Sequence, residues 1–259
     1  MSDLHLRAEV SGQPYVVRIN EARVLAYGLD FETLQAGAFG LPRASVQIVR
    51  AGAFTGEPAE GGSCRCEILT LIPHAHGTHT EGIGHLSDRP LPVHEDLADI
   101  LVPATLVTPV SLSAAPEGTL TLEVLRAALA PWPPAWRTAV ILRLAEPRDT
   151  PRDWSGMPRM HLAPEAASWL RLEGCRHLVT DLPSLEPEWD GGLLAAHRAF
   201  WNVAPGEYPA MGSSSTITEM ARLPADLPDG IGLLNLQIAP FARDAAPARP
   251  VWLPVTPLS

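Results

Sequence analysis

The sequence reads as a strand-rich α/β single domain spanning residues 1–259, on three observations. Short β-branched and apolar runs recur along the chain between Gly, Pro and Asp punctuation, while helical signatures are few. The length suits one ample core, because a folded chain of this size buries roughly three quarters of its unfolded surface. No linker separates stretches of different composition, and no internal repeat is present.

Taken in order, residues 4–10 alternate like a half-buried strand, Ser11-Gly12-Gln13 supplies turn chemistry, and residues 15–19 return as a second strand. Further strands are expected over residues 44–50, 64–72, 104–112, 138–144, 176–180, 216–223, 233–238 and 250–255. A helix is expected over 121–129, after hydroxyl residues that can cap it. A second is expected over 164–173, with Pro164 near its first turn and Gly174 just past its end. Pro-rich stretches at 130–134 and 147–158 read as connections.

Composition excludes several function classes. Hydrophobic residues make up 46% and charged residues 19%, and a mean hydropathy of +0.06 fits neither disorder nor a membrane protein. All 19 basic residues are arginine, and the net charge is -10. With no basic run interleaved with aromatics, nucleic acid is not an expected partner. The start of the chain carries Asp3, Arg7 and Glu9, unlike a secretory signal. Apolar stretches such as 100–115 are cut by Pro103 and Pro109 and fall short of a span. The expectation is a cytoplasmic protein without membrane contact. Cys64, Cys66 and Cys175 are odd in number and read as reduced structural thiols.

One segment concentrates chemistry. His74, His76, His79 and His85, four of the nine histidines, fall within twelve residues together with Glu81, while Gly77 and Gly82 let the backbone bend. It follows the strand expected over 64–72, so it reads as a loop delivered to the edge of a sheet. Imidazole nitrogens and a carboxylate suit Zn²⁺ or Mn²⁺. A helical H-E-x-x-H arrangement is absent, and the glycines would weaken a helix.

The run Gly77-Thr78-His79-Thr80-Glu81-Gly82-Ile83-Gly84-His85 resembles the H-x-G-T-H-x-D-x-P-x-H signature of the cyclase family of metal-dependent hydrolases, which includes kynurenine formamidases and isatin hydrolases. The family's Asp is Glu81 here, its Pro is Ile83, and its first His falls on Ala75, so His74 or His76 must replace that ligand. Alternation in an extended loop turns His76 away from His79 and favours His74. The resemblance extends to residues 161–170, to Asp181-Leu-Pro-Ser184, to Thr216-Ile-Thr-Glu-Met220, and to the closing runs 233–241 and 244–250. It implies a swivelling β/β/α fold, a homodimer or higher homo-oligomer, and one or two ions of Zn²⁺ or Mn²⁺.

The resemblance assigns the metal to His79, Glu81 and His74 (or His76), with His197 and Glu219 as further ligands; His197 lies 22 residues before Glu219, stretched by an inserted loop at 202–215. His85 reads as the proton carrier, and Glu219 competes for that duty. Asp181 could orient a ligand imidazole or cap a turn, and Ser184 follows it. His94, His161 and His177 read as structural. Phe200 and Trp201 could wall a pocket beside His197, and Ser213 to Thr216 lack a nucleophile elbow.

The implied activity is cleavage of a carbon–nitrogen bond in a small amide, formamide or cyclic amide by a metal-activated water, arylformamidase-like in character. The alternatives are a metal-dependent cyclase or lactonase, or a non-catalytic metal-binding or ligand-binding relative.

Overall fold

The computed structural model describes residues 6–109 and 118–258. Its centre is four parallel strands, Val102–Val107, Ala139–Leu142, His177–Thr180 and Thr216–Glu219, in that order across the sheet. Parallel neighbours need crossovers, and helices Leu122–Leu129, Pro164–Leu172 and Ala195–Trp201 supply one between each successive pair. Beyond Val102–Val107 the sheet continues antiparallel through Gly230–Asn235, Val251–Pro257, Gln13–Val17 and Leu6–Val10, with Arg23–Val24 also on Val251–Pro257. Beyond Thr216–Glu219 it continues through His79–Glu81 to Ala245–Pro247.

Ala139–Leu142 reads as an unbroken apolar run because both of its faces are covered. Val140, Leu142, Leu178 and Ile217 pack on the helices with Leu125, Leu129, Leu170 and Phe200. Ala139, Ile141 and Val179 face the other way, toward Leu25, Leu106, Leu234 and Trp252. The strand-rich α/β reading therefore holds, with few helices around one large mixed sheet.

The two expected helices form as Leu122–Leu129, where Thr121 accepts from the Val124 amide, and Pro164–Leu172, after which Gly174 adopts φ 87°. The opening hairpin turns at Ser11 and Gly12, both left-handed. Its second strand stops at Val17, because Ile19–Glu21 tightens into a 3₁₀ turn. Leu4 and His5, like residues 110–112 of another expected strand, lie outside the described residues.

Three differences matter for function. The run 64–72 does not lead into the sheet: only Glu67–Thr70 is a strand, and it pairs with Ser45–Ile48 in a separate two-stranded sheet. The histidine segment is not one extended loop either. Residues 73–75 form a turn, with the Ala75 amide donating to the Ile72 carbonyl, and His79–Glu81 is a strand of the main sheet. Polar residues at every position hid that strand, which is fully buried between Thr216–Glu219 and Ala245–Pro247. Finally, the run 216–223 stops at Glu219 because Met220 turns left-handed, and the helix Ala195–Trp201 carries His197.

Candidate metal centre

A strand's two-residue period places His79 and Glu81 on one face of the sheet, with Thr80 on the other. The register sets Glu219 directly opposite His79 and Thr218 opposite Thr80, whose hydroxyls meet at 2.7 Å. His197 stands in the helix that packs over this end of the sheet, and its Nε2 lies 3.1 Å from Glu81 Oε1 and 3.5 Å from Glu219 Oε1. His79 Nε2 lies 3.5 Å from Glu219 Oε2. All four side chains are buried.

A second, more open group stands on the other oxygen of the same carboxylate. His74 Nδ1 lies 2.9 Å from Glu81 Oε2, and His85 Nδ1 lies 3.9 Å from it. Asp244 sits beside both, 2.9 Å from His74 Nε2 and 3.5 Å from His85 Nδ1. The 3₁₀ turn Ile83–Leu86 carries His85 and passes so close to the next segment that a Cβ on Gly84 would lie 2.4 Å from the Leu91 carbonyl oxygen.

The donors fit a metal ion. His79 Nε2 and both oxygens of Glu81 are buried without a hydrogen-bond partner, an arrangement that costs free energy unless something binds them. The far nitrogens are tied down: His79 Nδ1 donates to the Gly77 carbonyl at 2.9 Å, and His197 Nδ1 to Glu186 at 3.0 Å. Tying one nitrogen orients the ring and aims the other inward, where it can give up its proton to a cation. His74 follows the same pattern, with Nε2 on Asp244. Two donor groups emerge, His74–Glu81–His85 and His79–Glu81–Glu219, each with ligand atoms within 4.8 Å of one another. They share Glu81 and could hold one or two ions.

Electrostatics agree with a cation-seeking site. Burial alone would raise the Glu81 pKa, but His85 and His197 hold it well below the ordinary carboxylate range. Glu219 is also lowered, with burial and the Glu81 charge outweighed by the neighbouring His197 and His79 imidazoles. Burial would lower His74, yet Asp244 and Glu81 push it up to about 10. His197 rises as well, because Glu81, Glu186 and Glu219 outweigh its burial. Asp244 is depressed by His74 and His85.

The structure thus brings together His74, His79, Glu81, His85, His197 and Glu219 and excludes His76. That ring accepts from the Ile72 amide at 2.8 Å and contacts the Pro42 carbonyl at 2.7 Å, so neither nitrogen remains free. A turn and two hydrogen bonds direct it away, rather than the alternation of an extended loop. Asp181 is a cap: its oxygens accept from the Leu144 and Ala145 amides at 2.9 and 3.1 Å. Ser184 accepts from the Glu186 amide.

It is Glu186, passed over in the sequence reading, that orients His197, and it also accepts from the Ala196 and His197 amides. Asp244 was likewise unassigned. An acid 11 residues before His197 carries no local signal, because the contact is made by the chain folding back. Phe200 is core, while the Trp201 ring lies 5.9 Å from that of His197 and its Nε1 donates to the Ser215 carbonyl. His177 is held between Asp99 and Thr216, His94 meets the Phe241 carbonyl, and His161 meets Thr119. The three cysteines are free, Cys64 and Cys66 exposed and Cys175 buried. Among the described residues no helix is long and apolar enough to cross a membrane.

A mixed sheet ending in a buried histidine–carboxylate cluster defines a class of proteins built around a candidate metal centre, and the comparisons place the chain within a family. The family model described as putative cyclase matches residues 20–187, more than half of the chain, and the protein belongs to that family. The matched stretch holds the His74–His85 segment and Glu186 but ends before His197, Glu219 and Asp244.

Among solved structures, an isatin hydrolase bound to the product analogue thioisatinate aligns with a TM-score of 0.60 at 13% identity, covering 93% of this chain and 94% of that one. Isatin hydrolase A from Labrenzia aggregata, bound to benzyl benzoate, gives 0.57 at 14%, covering 91% and 94%. A predicted metal-dependent hydrolase from Bacillus stearothermophilus gives 0.56 at 14%, covering 90% and 98%. At these identities the likeness is one of fold. No curated protein matches the chain.

Proposed function

We propose that this protein is a metal-dependent hydrolase that cleaves the carbon–nitrogen bond of a small amide, formamide or cyclic amide, arylformamidase-like in its chemistry. The observation that carries the reading is Glu81, a buried carboxylate with neither oxygen hydrogen-bonded, ringed by imidazoles whose far nitrogens are mostly tied elsewhere. A divalent transition ion such as Zn²⁺ or Mn²⁺, when bound there, supplies Lewis acidity and makes water nucleophilic at neutral pH.

The chain's own residues do the remaining work. His79 and His197 present Nε2 in fixed orientations, and Glu81 and Glu219, both held ionised, balance positive charge. A carboxylate kept ionised in this way is a poor proton donor, which favours Glu219 as ligand over Glu219 as general acid. His85 is better placed for proton transfer: it is partly exposed at the open side, and Asp244 lies 3.5 Å from its Nδ1 to hold the ring. There it can deliver a proton to the departing nitrogen. The grouping of His85 with His74 and Glu81 supports a second role, as ligand to an outer ion.

The test is turnover by the metal-loaded protein on a panel of an aryl formamide, a cyclic aryl amide and an aryl lactone. Cleavage of either amide above the metal-stripped control supports the reading. Cleavage of the lactone alone favours a lactonase, and metal uptake without turnover of any panel member favours a binding protein.

A further inference from the structure

The corner of chain from Glu81 to His85 rests on one buried acid. Asp96 is 5% exposed and ends the short helix Val93–Asp96, itself pinned where the Val93 amide donates to the Arg243 carbonyl at 2.8 Å. Two glycines from distant segments make room for its carboxylate. A Cβ on Gly82, the residue after Glu81, would lie 2.4 Å from Oδ2, and a Cβ on Gly212 would lie 2.4 Å from Oδ1. Oδ1 also accepts from the Ser213 amide at 2.7 Å. Burial pushes the pKa of this acid up to about 6, against the Ser213 and Ile83 amides. A buried carboxylate is a costly way to fasten a loop, which points to a task besides stability.

The loop so fastened, 202–215, is a strap between the two sides of the candidate metal centre. On the side of the His197 helix, Trp201 Nε1 donates to the Ser215 carbonyl, and Arg198 Nη1 donates to the Ala204 and Glu207 carbonyls. On the side of the His85 turn, the Ser87 hydroxyl donates to the Pro209 carbonyl at 2.8 Å. A cavity of about 340 Å³ lies beside Asp96, lined by Leu91 and Pro92 from one segment and by Gly212 and Ser214 from the strap. The two segments therefore meet there through the carboxylate rather than through close apolar packing.

We propose that Asp96 is a positioning residue: clamped between Gly82 and Gly212, it couples the strap to the Glu81–His85 corner and sets where His85 stands relative to the departing nitrogen. Resting on the hydrolase reading, this gives the strap a part in proton transfer and none in holding the ion.

The test is a cross-rescue between Asp96→Ala and Gly212→Ala. Gly212 is not left-handed, and among the described residues its added Cβ would meet Asp96 alone. In G212A the methyl pushes on the carboxylate, whereas in the double variant it enters the space that D96A vacates, so the two losses should not add. Each single variant should hold metal at wild-type stoichiometry and keep KM within about threefold. Its kcat on the aryl amide that the wild type cleaves should fall by about tenfold to a hundredfold, the scale of a misplaced reacting group. On the nitro-substituted counterpart, whose nitrogen departs with less need of a proton, the fall should be under about threefold. The double variant should be no slower than D96A. Equal losses on the two amides, additive losses, or loss of metal overturns the proposal. If D96A does not fold, the contrast between the two amides in G212A decides. A readout apart from turnover is the NMR signal of the His85 ring, identified by its disappearance in His85→Ala. It should shift in both single variants, and an unmoved signal overturns the proposal. No turnover of any amide by the wild type would set aside the hydrolase reading alone, and the ring signal and metal content would then decide whether Asp96 positions the turn.

Discussion

The two sides of Glu81 are built differently. On the inner side, His79, Glu219 and His197 stand on two paired strands and a helix, with side chains 1–4% exposed. On the outer side, His74, His85 and Asp244 stand on a turn, a 3₁₀ segment and the residue before a strand, with side chains 24–35% exposed. Regular elements hold donor atoms to a fixed geometry, whereas turns let side chains adjust and meet solvent. The inner side is therefore suited to holding an ion, while on the outer side His74 adds a ligand from the turn and His85 with Asp244 is suited to moving protons where substrate enters.

The largest effect should come from breaking one side and then the other. His79→Ala should lose the ion outright, since even groups that merely orient a ligand are worth 10–100-fold in affinity. His85→Ala should retain metal at near wild-type stoichiometry while turnover falls by about 10²–10⁴. Metal content and rates measured on the same samples separate the two, and loss of metal from His85→Ala would make His85 a ligand and sink the division of labour.

Next in size is the contrast within the turn. His74→Ala should weaken metal binding by about a hundredfold or more, using the same scale. His76→Ala should leave affinity nearly unchanged and lower stability by about 1–3 kcal/mol, because it leaves the Ile72 amide and the Pro42 carbonyl unpaired. Competition with a chromophoric chelator and thermal melts measure the pair, and the opposite pattern would reverse the assignment.

Glu186→Gln sharpens the account of the inner side. An amide can still accept from the Ala196 and His197 backbone but no longer supports the imidazole with a charge, so affinity should fall by about 10–100-fold with little change in fold. An affinity indistinguishable from wild type would mean that the helix alone positions His197.

The smallest effect lies away from the centre. Burial pushes the Asp181 pKa up to about 7, against the hydrogen bonds from Leu144 and Ala145. Between the unfolded value near 3.9 and that pKa, the folded state binds more protons than the unfolded one. Its contribution to stability is thus full at low pH and is lost as pH rises through about 7. Denaturation of wild type and Asp181→Asn at pH 5 and pH 8 should show a steeper loss in the wild type, by a few kcal/mol at most, on the order of 1.4 per pKa unit. Equal slopes would mean that Asp181 is ionised without penalty in the fold.

Much of this was legible in the sequence where chemistry clusters locally. The histidine segment announced itself through density and spacing, and the central parallel strands through short β-branched and apolar runs. What stayed hidden depends on contacts between distant segments. The strand His79–Glu81 has no apolar pattern, because the residues that bury it belong to Thr216–Glu219 and Ala245–Pro247. Glu186 and Asp244 look like ordinary acids until the chain folds them onto His197 and His74. Asp181 drew attention through the family resemblance, yet its oxygens face the backbone of Leu144 and Ala145.

The central claim is that the buried donors around Glu81 hold a divalent transition ion. Elemental analysis of the purified wild type after loading with Zn²⁺ or Mn²⁺ and removal of excess tests it most directly. The account predicts at least about one ion per chain, as a site with several protein ligands requires. Sub-stoichiometric metal under every loading condition would contradict it.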